Sequence, residues 1–144
     1  MEEQVAERTM VRASPEQCFE ILTNFEDYPA WSPDIKEVTV LERDDHGRGT
    51  IVTIRAAAFG RSTSLTLVYD YSGAPGRLSW VQRDGDLTRC YDGVYSFEPA
   101  GDETEVTYQL TVDLKVPLPG FVKRRAESRL VSGALRELKA RAEG

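Results

Sequence analysis

The sequence predicts an α+β fold in which a curved, seven-stranded antiparallel sheet wraps around a long C-terminal helix. Three observations predict this class. A short helical pattern follows the first strand pattern, six further strand patterns alternate with short turns, and the chain ends in a long amphipathic pattern. Short turns rich in Gly, Asp and Pro join antiparallel neighbours. The terminal helix is the only predicted element long enough to cover the apolar face of such a sheet.

Composition and charge are those of an ordinary globular protein. The 18 Lys and Arg residues against 24 Asp and Glu residues give a formal net charge of −6, and 40% of the residues are hydrophobic. A chain of about 150 residues buries roughly 70% of its unfolded surface in one core, so we expect a single domain over residues 1–144. The acidic balance argues against nucleic acid as a partner.

Three features of the sequence predict a cytoplasmic protein with no stable membrane association. No stretch approaches the roughly 20 apolar residues that a membrane-spanning helix needs. The acidic segment 1–10 lacks the apolar run of a secretory signal. Cys18 and Cys90 are too few for a disulfide framework and fit no metal-ligand spacing, which favours a reducing compartment.

The first elements are a strand at residues 4–12 and a short helix. Ser14 caps that helix, Pro15 takes its first position, and Gln17 completes a capping box. The helix has an apolar stripe at Cys18, Phe19, Ile21, Leu22 and Phe25. The pairs Tyr28-Pro29 and Ser32-Pro33 are expected to end helical structure, because a residue before proline is pushed out of the helical region.

The remaining chain reads as strand after strand, followed by one helix. The six strands are predicted at residues 35–42, 50–58, 63–71, 78–82, 88–97 and 105–114. A long helix follows at residues 121–142, with one apolar face made by Leu130, Val131, Ala134, Leu135 and Leu138. If the sheet curves, a helix laid across it contacts the sheet at its ends and leaves a cavity between, which is a binding site by default.

With this order of elements, several local motifs match a known family. A Ser14-Pro15-Glu16 helix start precedes the stretch NFEDYPAWSPDI at residues 24–35, and GVYSF at residues 93–97 matches a later strand. Over nearly its whole length the chain resembles the polyketide cyclase/dehydrase-like branch of the START and birch-pollen-allergen superfamily, also called SRPBCC. The resemblance implies a helix-grip fold. The superfamily includes lipid carriers, coenzyme Q-binding proteins and aromatic-ring cyclases, so function must be argued from the cavity.

Strand alternation predicts which side chains face that cavity. The predicted set is apolar and aromatic with few polar groups, as in a pocket for a hydrophobic or aromatic molecule that bears one or two polar handles. The alternative is that the same residues simply fill a core. The predicted ligand-binding residues are Leu67, Tyr69, Trp80, Gln82, Arg89, Tyr91, Tyr95, Tyr108, Leu110 and Leu135.

Three side chains have two interpretations each. If Arg89 points inward, it must pair with an acid or with a ligand's carboxylate, phenolate or carbonyl; otherwise it reaches solvent near the open end of its strand. Trp31, in a loop between two prolines, is either a plug beneath the sheet, which we favour, or part of a gate to the pocket. Phe59, at a hairpin turn, either packs on its neighbours or covers the cavity mouth.

Catalytic machinery is not apparent in the sequence. His46, the only histidine, lies in a polar turn, which is a poor place for a general base. Neither cysteine has a histidine beside it in the sequence to lower its pKa, so we expect neither to be a nucleophile. No Gly-rich phosphate loop, Ser-His-Asp set or metal-ligand cluster occurs, so we expect no catalytic residue, no metal site and no cofactor.

Three functions remain open at this stage. The first is binding of a lipid, isoprenoid quinone or aromatic polyketide between sheet and helix, with transport of that ligand as its use. The second is an aromatase-like polyketide cyclase/dehydratase using Arg89 with Tyr69, Tyr91 or Tyr95. The third is a protein-interaction module acting through an exposed sheet edge or through Lys123-Arg124-Arg125. That basic cluster is either a solvated face or a contact for anionic lipid head groups or an acidic partner. The expected partner is a hydrophobic small molecule, and the oligomeric state stays open.

Overall fold

A computed structural model describes residues 3–58 and 60–144 and confirms the predicted α+β class. The strands are β1 (Glu3–Val11), β2 (Ile35–Arg43), β3 (Gly49–Ala58), β4 (Arg61–Asp70), β5 (Arg77–Gly85), β6 (Thr88–Ala100) and β7 (Glu103–Leu114). The helices are α1 (Pro15–Thr23), α2 (Tyr28–Trp31) and α3 (Gly120–Glu143), with a 3-10 turn (Phe25–Asp27) between α1 and α2. Each predicted strand and helix is present within a few residues of its expected bounds.

The strands form one sheet of seven, with the order β1-β7-β6-β5-β4-β3-β2 and antiparallel pairing throughout. Strands β2 to β7 follow one another as neighbours, as their short turns predict. β1 lies at one edge of the sheet and β2 at the other. The segment with α1 and α2 therefore carries the chain from one edge of the sheet to the opposite edge.

The start of α1 has the predicted capping box. The Gln17 backbone N–H donates to Ser14 Oγ over 3.1 Å, and the Ser14 N–H donates to Gln17 Oε1 over 2.8 Å. The expectation that Tyr28-Pro29 ends helical structure is wrong, because α2 begins at Tyr28. Pro29 lies in the first turn of α2, where a missing N–H costs no hydrogen bond. Ser32, before Pro33, is extended as expected.

Helix α3 lies along the β1 and β7 edge of the sheet and is fixed there by apolar and polar contacts. Val131, Leu135 and Leu138 are buried at helical spacing in the main core. Two lysines secure the ends of α3: Lys123 Nζ donates to the Val112 carbonyl of β7 over 2.9 Å, and Lys139 Nζ donates to the Met10 carbonyl of β1 over 2.6 Å. A helix held at one edge leaves space above the middle strands.

An aromatic cluster fills the space beneath α1. The rings of Phe19 and Phe97 lie 6.4 Å apart edge to face, and Phe25 lies 4.7 Å from Tyr69. Phe25 is 1% exposed, so this end of the sheet is closed by packed rings. The open space begins beyond Tyr69. Of the helices in the described ranges, none has the length and apolar character needed to cross a bilayer.

Candidate functional site

A cavity of about 660 Å³ lies between the middle strands of the sheet and α3. This volume is within the range of roughly 300–1,000 Å³ that small-molecule sites occupy and far exceeds the space of one water. The predicted void beneath the terminal helix is therefore present, and the alternative of a completely filled core is excluded for this region.

The sheet wall of the cavity is apolar and aromatic and comes from β3 to β7. Its members are mostly buried side chains that alternate along their strands, as a half-buried sheet requires. The residues of this wall are Ile54, Ala56, Thr63, Leu65, Leu67, Tyr69, Trp80, Thr88, Tyr91, Tyr95 and Tyr108.

The helix wall is made of small and medium side chains on a face of α3 next to its buried stripe. Ala126, Gly133 and Ala134 line the cavity, together with Leu130 and Glu137. The first three have almost no side chain, so the helix approaches the sheet without filling the space between. α3 thus has two functions, since one face belongs to the core and the adjacent face bounds the cavity.

The mouth of the cavity opens where the β3–β4 hairpin faces the first half of α3. We define the mouth by the exposed lining residues Asp34, Gly60, Arg61, Ser62, Val122 and Arg129. Two of the six are arginines, one from each side of the opening. Neither arginine forms an ion pair with an acid among the residues that the structure describes. The mouth is therefore more cationic than the protein as a whole.

Four tyrosine hydroxyls line the inner part of the cavity. Burial raises the pKa values of Tyr69, Tyr95 and Tyr108 well above the usual value. Burial also raises the pKa of Tyr91 to about 12, with the neighbouring Tyr108 hydroxyl opposing part of that rise. All four stay protonated at neutral pH and present O–H groups to a ligand. Within the described ranges the Tyr69 and Tyr95 hydroxyls have no hydrogen-bond partner, so they are available to accept or donate.

Glu137 places a carboxylate in the cavity wall beside these hydroxyls. Its Oε1 accepts a hydrogen bond of 2.8 Å from Ser32 Oγ, and its charge contributes to the raised pKa of Tyr95. Ser32 is buried at the C-terminal end of α2 and also lines the cavity, so the bond joins the loop before β2 to α3. A carboxylate accepts hydrogen bonds only, which makes this end of the cavity suited to a ligand hydroxyl or another donor.

Trp80 forms the centre of the sheet wall because the residue beside it is a glycine. Gly93 of β6 is the direct partner of Trp80 in β5. A Cβ atom at Gly93 would lie 2.2 Å from Trp80 Cζ2, so the indole ring lies across the glycine backbone. The ring also packs against its neighbours in tilted contacts, with centroids 5.5 Å from Tyr69 and 5.7 Å from Tyr95. These rings give the cavity an aromatic floor.

Six of the ten predicted site residues line the cavity together: Leu67, Tyr69, Trp80, Tyr91, Tyr95 and Tyr108. The structure places three others elsewhere. Leu110 and Leu135 are 1% and 4% exposed in the packed core, where α3 sits directly on the sheet and leaves no void. Gln82 lies behind the wall, since its Nε2 donates to the Thr88 carbonyl over 2.8 Å and its Oε1 accepts from the Thr88 hydroxyl.

Arg89 does not line the cavity, and of its two interpretations the structure shows the one in which the side chain reaches solvent. Its side chain is 61% exposed, its Nη1 donates to the Leu114 carbonyl over 3.1 Å, and it lies 3.8 Å from the Asp113 carboxylate. The physical reason is a bulge: Thr88 pairs with Leu114 while Cys90 pairs with Asp113, so Arg89 is an extra residue in β6. The bulge turns Arg89 outward and brings Thr88 into the cavity wall instead.

The other residues singled out in the sequence lie at the periphery. Trp31 is half-buried beside Tyr28, with ring centroids 4.9 Å apart, and lines the cavity, so it has features of both plug and gate. Cys18 is buried in the core, and burial raises its pKa to about 11. His46 is exposed in the β2–β3 turn. Phe59 lies outside the described residues.

Sequence reasoning missed most of the helix wall. The sequence pattern predicts a single apolar stripe on α3. In the structure Leu130 and Ala134 face the cavity, whereas the core side is formed by Val131, Leu135 and Leu138. A signal was present, since the small residues Ala126, Gly133 and Ala134 recur at helical spacing. Glu137 carried no local signal, because a single acid in an amphipathic helix is usually on its solvated face.

The chain is similar to proteins of one family and one fold. Residues 2–143 match the model of the family described as polyketide cyclase / dehydrase and lipid transport. A START superfamily protein from Mycobacterium smegmatis is 26% identical, with a TM-score of 0.90 and 96% of each chain covered. No curated protein sequence matches this chain.

Two more distant structures share the fold. The Zhui aromatase/cyclase from Streptomyces sp. R1128 is 13% identical, with a TM-score of 0.85 over 99% of this chain and 94% of that one. A STAR-related lipid transfer protein from Xanthomonas axonopodis is 15% identical, with a TM-score of 0.72 over 96% of this chain and 85% of that one. These two similarities show the fold alone, and the family match with the 26% identical structure agrees with the superfamily that the sequence motifs indicated.

Proposed function

Because the chain belongs to the polyketide cyclase / dehydrase and lipid transport family, we propose that it binds a hydrophobic small molecule in the cavity between the sheet and α3. The observation that carries this proposal is the 660 Å³ void itself, which a well-packed protein of this size would otherwise fill. Transport or sequestration of the ligand is then the activity.

The residues that line the cavity indicate which chemical groups the ligand carries. An aromatic floor around Trp80 favours a flat or polycyclic body, and the tyrosine hydroxyls supply donors for carbonyl or hydroxyl oxygens. Glu137 supplies an acceptor at the same end. An isoprenoid quinone, a sterol-like lipid or an aromatic polyketide carries this combination of an apolar body and one or two oxygens.

Two further parts of the proposal concern the whole chain. The single core cluster that joins the sheet, α1 and α3 supports one ligand-binding domain over residues 1–144. The Cys18 thiol is buried in the core and forms no disulfide within the described residues, and this supports a reducing, cytoplasmic compartment.

Filling the cavity tests the proposal directly. Ala134→Phe places a ring in the void from the helix wall, and Ala140→Phe places the same ring on the exposed face of α3 as a matched control. We expect the wild type and A140F to bind the neutral apolar dye Nile red with similar affinity and A134F to bind it at least about tenfold more weakly. Equal dye binding by all three proteins would contradict the proposal, provided that circular dichroism shows each to be folded.

A second candidate function is cyclisation of a bound polyketone, and Glu137 in the cavity wall is the observation that favours it. In an intramolecular aldol step the Glu137 carboxylate would accept a proton from a carbon between two carbonyls. The resulting enolate carbon would form a C–C bond to a second carbonyl carbon of the same chain. A cavity tyrosine such as Tyr95 would donate its proton to the new alkoxide oxygen and recover a proton from the protonated Glu137. Loss of the new hydroxyl group with a proton from the neighbouring carbon, as water, would then form a double bond in the closed ring.

The two functions differ in how they respond to conservative substitutions. Glu137→Gln and Tyr95→Phe keep the cavity's shape, so binding of a polyketone analogue would stay within a few-fold of the wild type. Cyclisation would fall by about 100-fold or more if these groups move protons. A wild-type protein that binds the analogue and never converts it, as followed by ultraviolet absorbance of the aromatic product, would leave binding as the function.

A further inference from the structure

The largest exposed apolar side chain in the described ranges is beside the cavity mouth. Phe121 is 64% exposed on the first turn of α3, and its neighbour Val122 is 38% exposed and lines the mouth. The preceding residues Pro117 and Pro119 are exposed as well. Phe121 and Val122 are neighbours, so together they form an exposed apolar patch rimmed by polar residues at the mouth, which makes this patch a candidate contact surface.

Two arginines follow Phe121 along the same face of α3. Phe121, Arg125 and Arg129 are separated by four residues each, so they lie on one face of α3. All three are exposed, and Arg129 also lines the mouth. We call Phe121, Val122, Arg125 and Arg129 the docking surface. It combines an apolar tip with cationic side chains along the edge of the opening.

The charge of this region is opposite to that of the protein. The segment 115–136 contains six Lys or Arg residues and one acid, Glu127, whereas the whole chain has a net charge of −6. Glu127 is 1% exposed and pairs with Lys123 over 2.8 Å, so it adds no negative charge to the surface. Basic residues near the N-terminus of a helix oppose the helix dipole, and helix stability does not account for them.

We propose that the docking surface binds the surface of an anionic phospholipid bilayer and brings the cavity mouth against it. Phe121 and Val122 enter the interfacial region of the bilayer, and Arg125 and Arg129 contact lipid phosphates. This proposal rests on the proposed function, because a hydrophobic ligand is stored in membranes and must leave them to reach the cavity.

Two features favour a bilayer over an acidic protein as the partner. The apolar part of the docking surface is two side chains wide, which suits shallow insertion and is small for a stable protein interface. The surface also borders the mouth rather than a sheet edge, so docking there aligns the opening with the ligand's source. Contact through a few side chains is reversible, as a carrier requires.

Flotation with lipid vesicles tests the proposal. The wild type is mixed with vesicles of phosphatidylcholine alone or of phosphatidylcholine with about one third phosphatidylglycerol. We expect flotation with the anionic vesicles, little with the neutral ones, and loss of flotation at high salt. Phe121→Ala is expected to lower the partition coefficient about tenfold, and Arg125→Glu by about tenfold or more because it replaces attraction by repulsion.

Matched control variants lie on the outer face of β5. Val81 is 54% exposed and Arg83 is exposed two residues further along the same strand. Val81→Ala and Arg83→Glu remove the same kinds of group far from the mouth, so flotation of these variants should equal that of the wild type. Nile red binding without vesicles is measured for every variant, and F121A should keep it.

Each contrary result overturns a distinct statement. A wild type that binds Nile red and ignores anionic vesicles would contradict docking and leave the proposed function intact. Equal flotation with neutral and anionic vesicles, or equal loss in R83E and R125E, would contradict the role of the docking surface. A wild type that ignores vesicles and binds an acidic polypeptide such as polyglutamate through Arg125 would assign the surface to a protein partner instead. Failure to bind Nile red would overturn both proposals.

Discussion

At the scale of single residues, the cavity depends on a glycine. Gly93 leaves room for the indole of Trp80 to lie across β6, and the ring in turn supports the tyrosines around it. The pair shows why the sheet can present so large a ring inside a cavity without pushing the neighbouring strand away.

Gly93→Ala is therefore expected to destabilise the protein by about 1–3 kcal/mol, since the new methyl group forces Trp80 from its position. Urea unfolding measures this change. Gly133→Ala is the control: a Cβ there meets only Arg136, at 3.7 Å, and alanine is the better helix former. G93A as stable as the wild type would show that the Trp80 ring is not held as described.

Glu137 is expected to set the preference of the cavity for ligands that donate a hydrogen bond. We predict that 2-naphthol binds the wild type about five- to tenfold more tightly than 2-methoxynaphthalene, which has the same rings and no donor. Glu137→Leu should abolish that preference while keeping affinity for the ether. Calorimetric titration of both compounds provides the measurement. An unchanged preference in E137L would remove Glu137 from ligand selection.

Arg89 shows what sequence reasoning misses at this scale. Alternation along β6 is correct from Tyr91 to Phe97 and fails at the bulge, because one extra residue reverses the facing of everything beyond it. Nothing in the local sequence marks the bulge. The six predicted site residues that do line the cavity were predictable, since their strands keep regular alternation where these residues lie.

At the scale of elements, α3 is the helix that encloses the cavity above the sheet. Its buried stripe and its small-residue face lie side by side, so the helix can be anchored on β1 and β7 and still leave the middle strands uncovered. The order and type of the elements were predictable because turn residues, proline positions and the capping box are local signals. The division of the apolar surface of α3 into a core face and a cavity face was not predictable, because it depends on where the sheet lies.

The C-terminal end of α3 is held by a carboxylate with a pH-dependent contribution to stability. Hydrogen bonds from Lys139 Nζ and the Arg12 backbone N–H lower the pKa of Glu143 to about 2. A lowered folded-state pKa stabilises the protein above the unfolded value near 4.5 and loses that effect as pH falls toward 2.

Glu143→Gln should therefore have a lower melting temperature than the wild type at neutral pH, with the difference shrinking between pH 4.5 and pH 2. Glu98→Gln, at an exposed position on β6, is the matched control. Thermal unfolding followed by circular dichroism across this range gives the result. A difference between E143Q and the wild type that is constant with pH would contradict an electrostatic role.

At the scale of the whole molecule, the described structure encloses a cavity that is closed at one end and open at the other. Packed rings beneath α1 close it, and the β3–β4 hairpin with the first half of α3 forms the mouth. The fold and the family agree with a hydrophobic ligand, and the polar groups inside the cavity support the proposal that this ligand carries a few oxygens. The exact identity of the ligand depends on the detailed shape of the cavity, which no sequence pattern encodes.

Native mass spectrometry after exposure to a lipid extract of the protein's own host tests this central claim most directly. The wild type is expected to acquire a small-molecule adduct that denaturation releases for identification, and A134F, whose ring obstructs the cavity, is expected to acquire much less of it. A wild type that stays at its polypeptide mass, or an equal adduct on A134F, would contradict a ligand site between the sheet and α3.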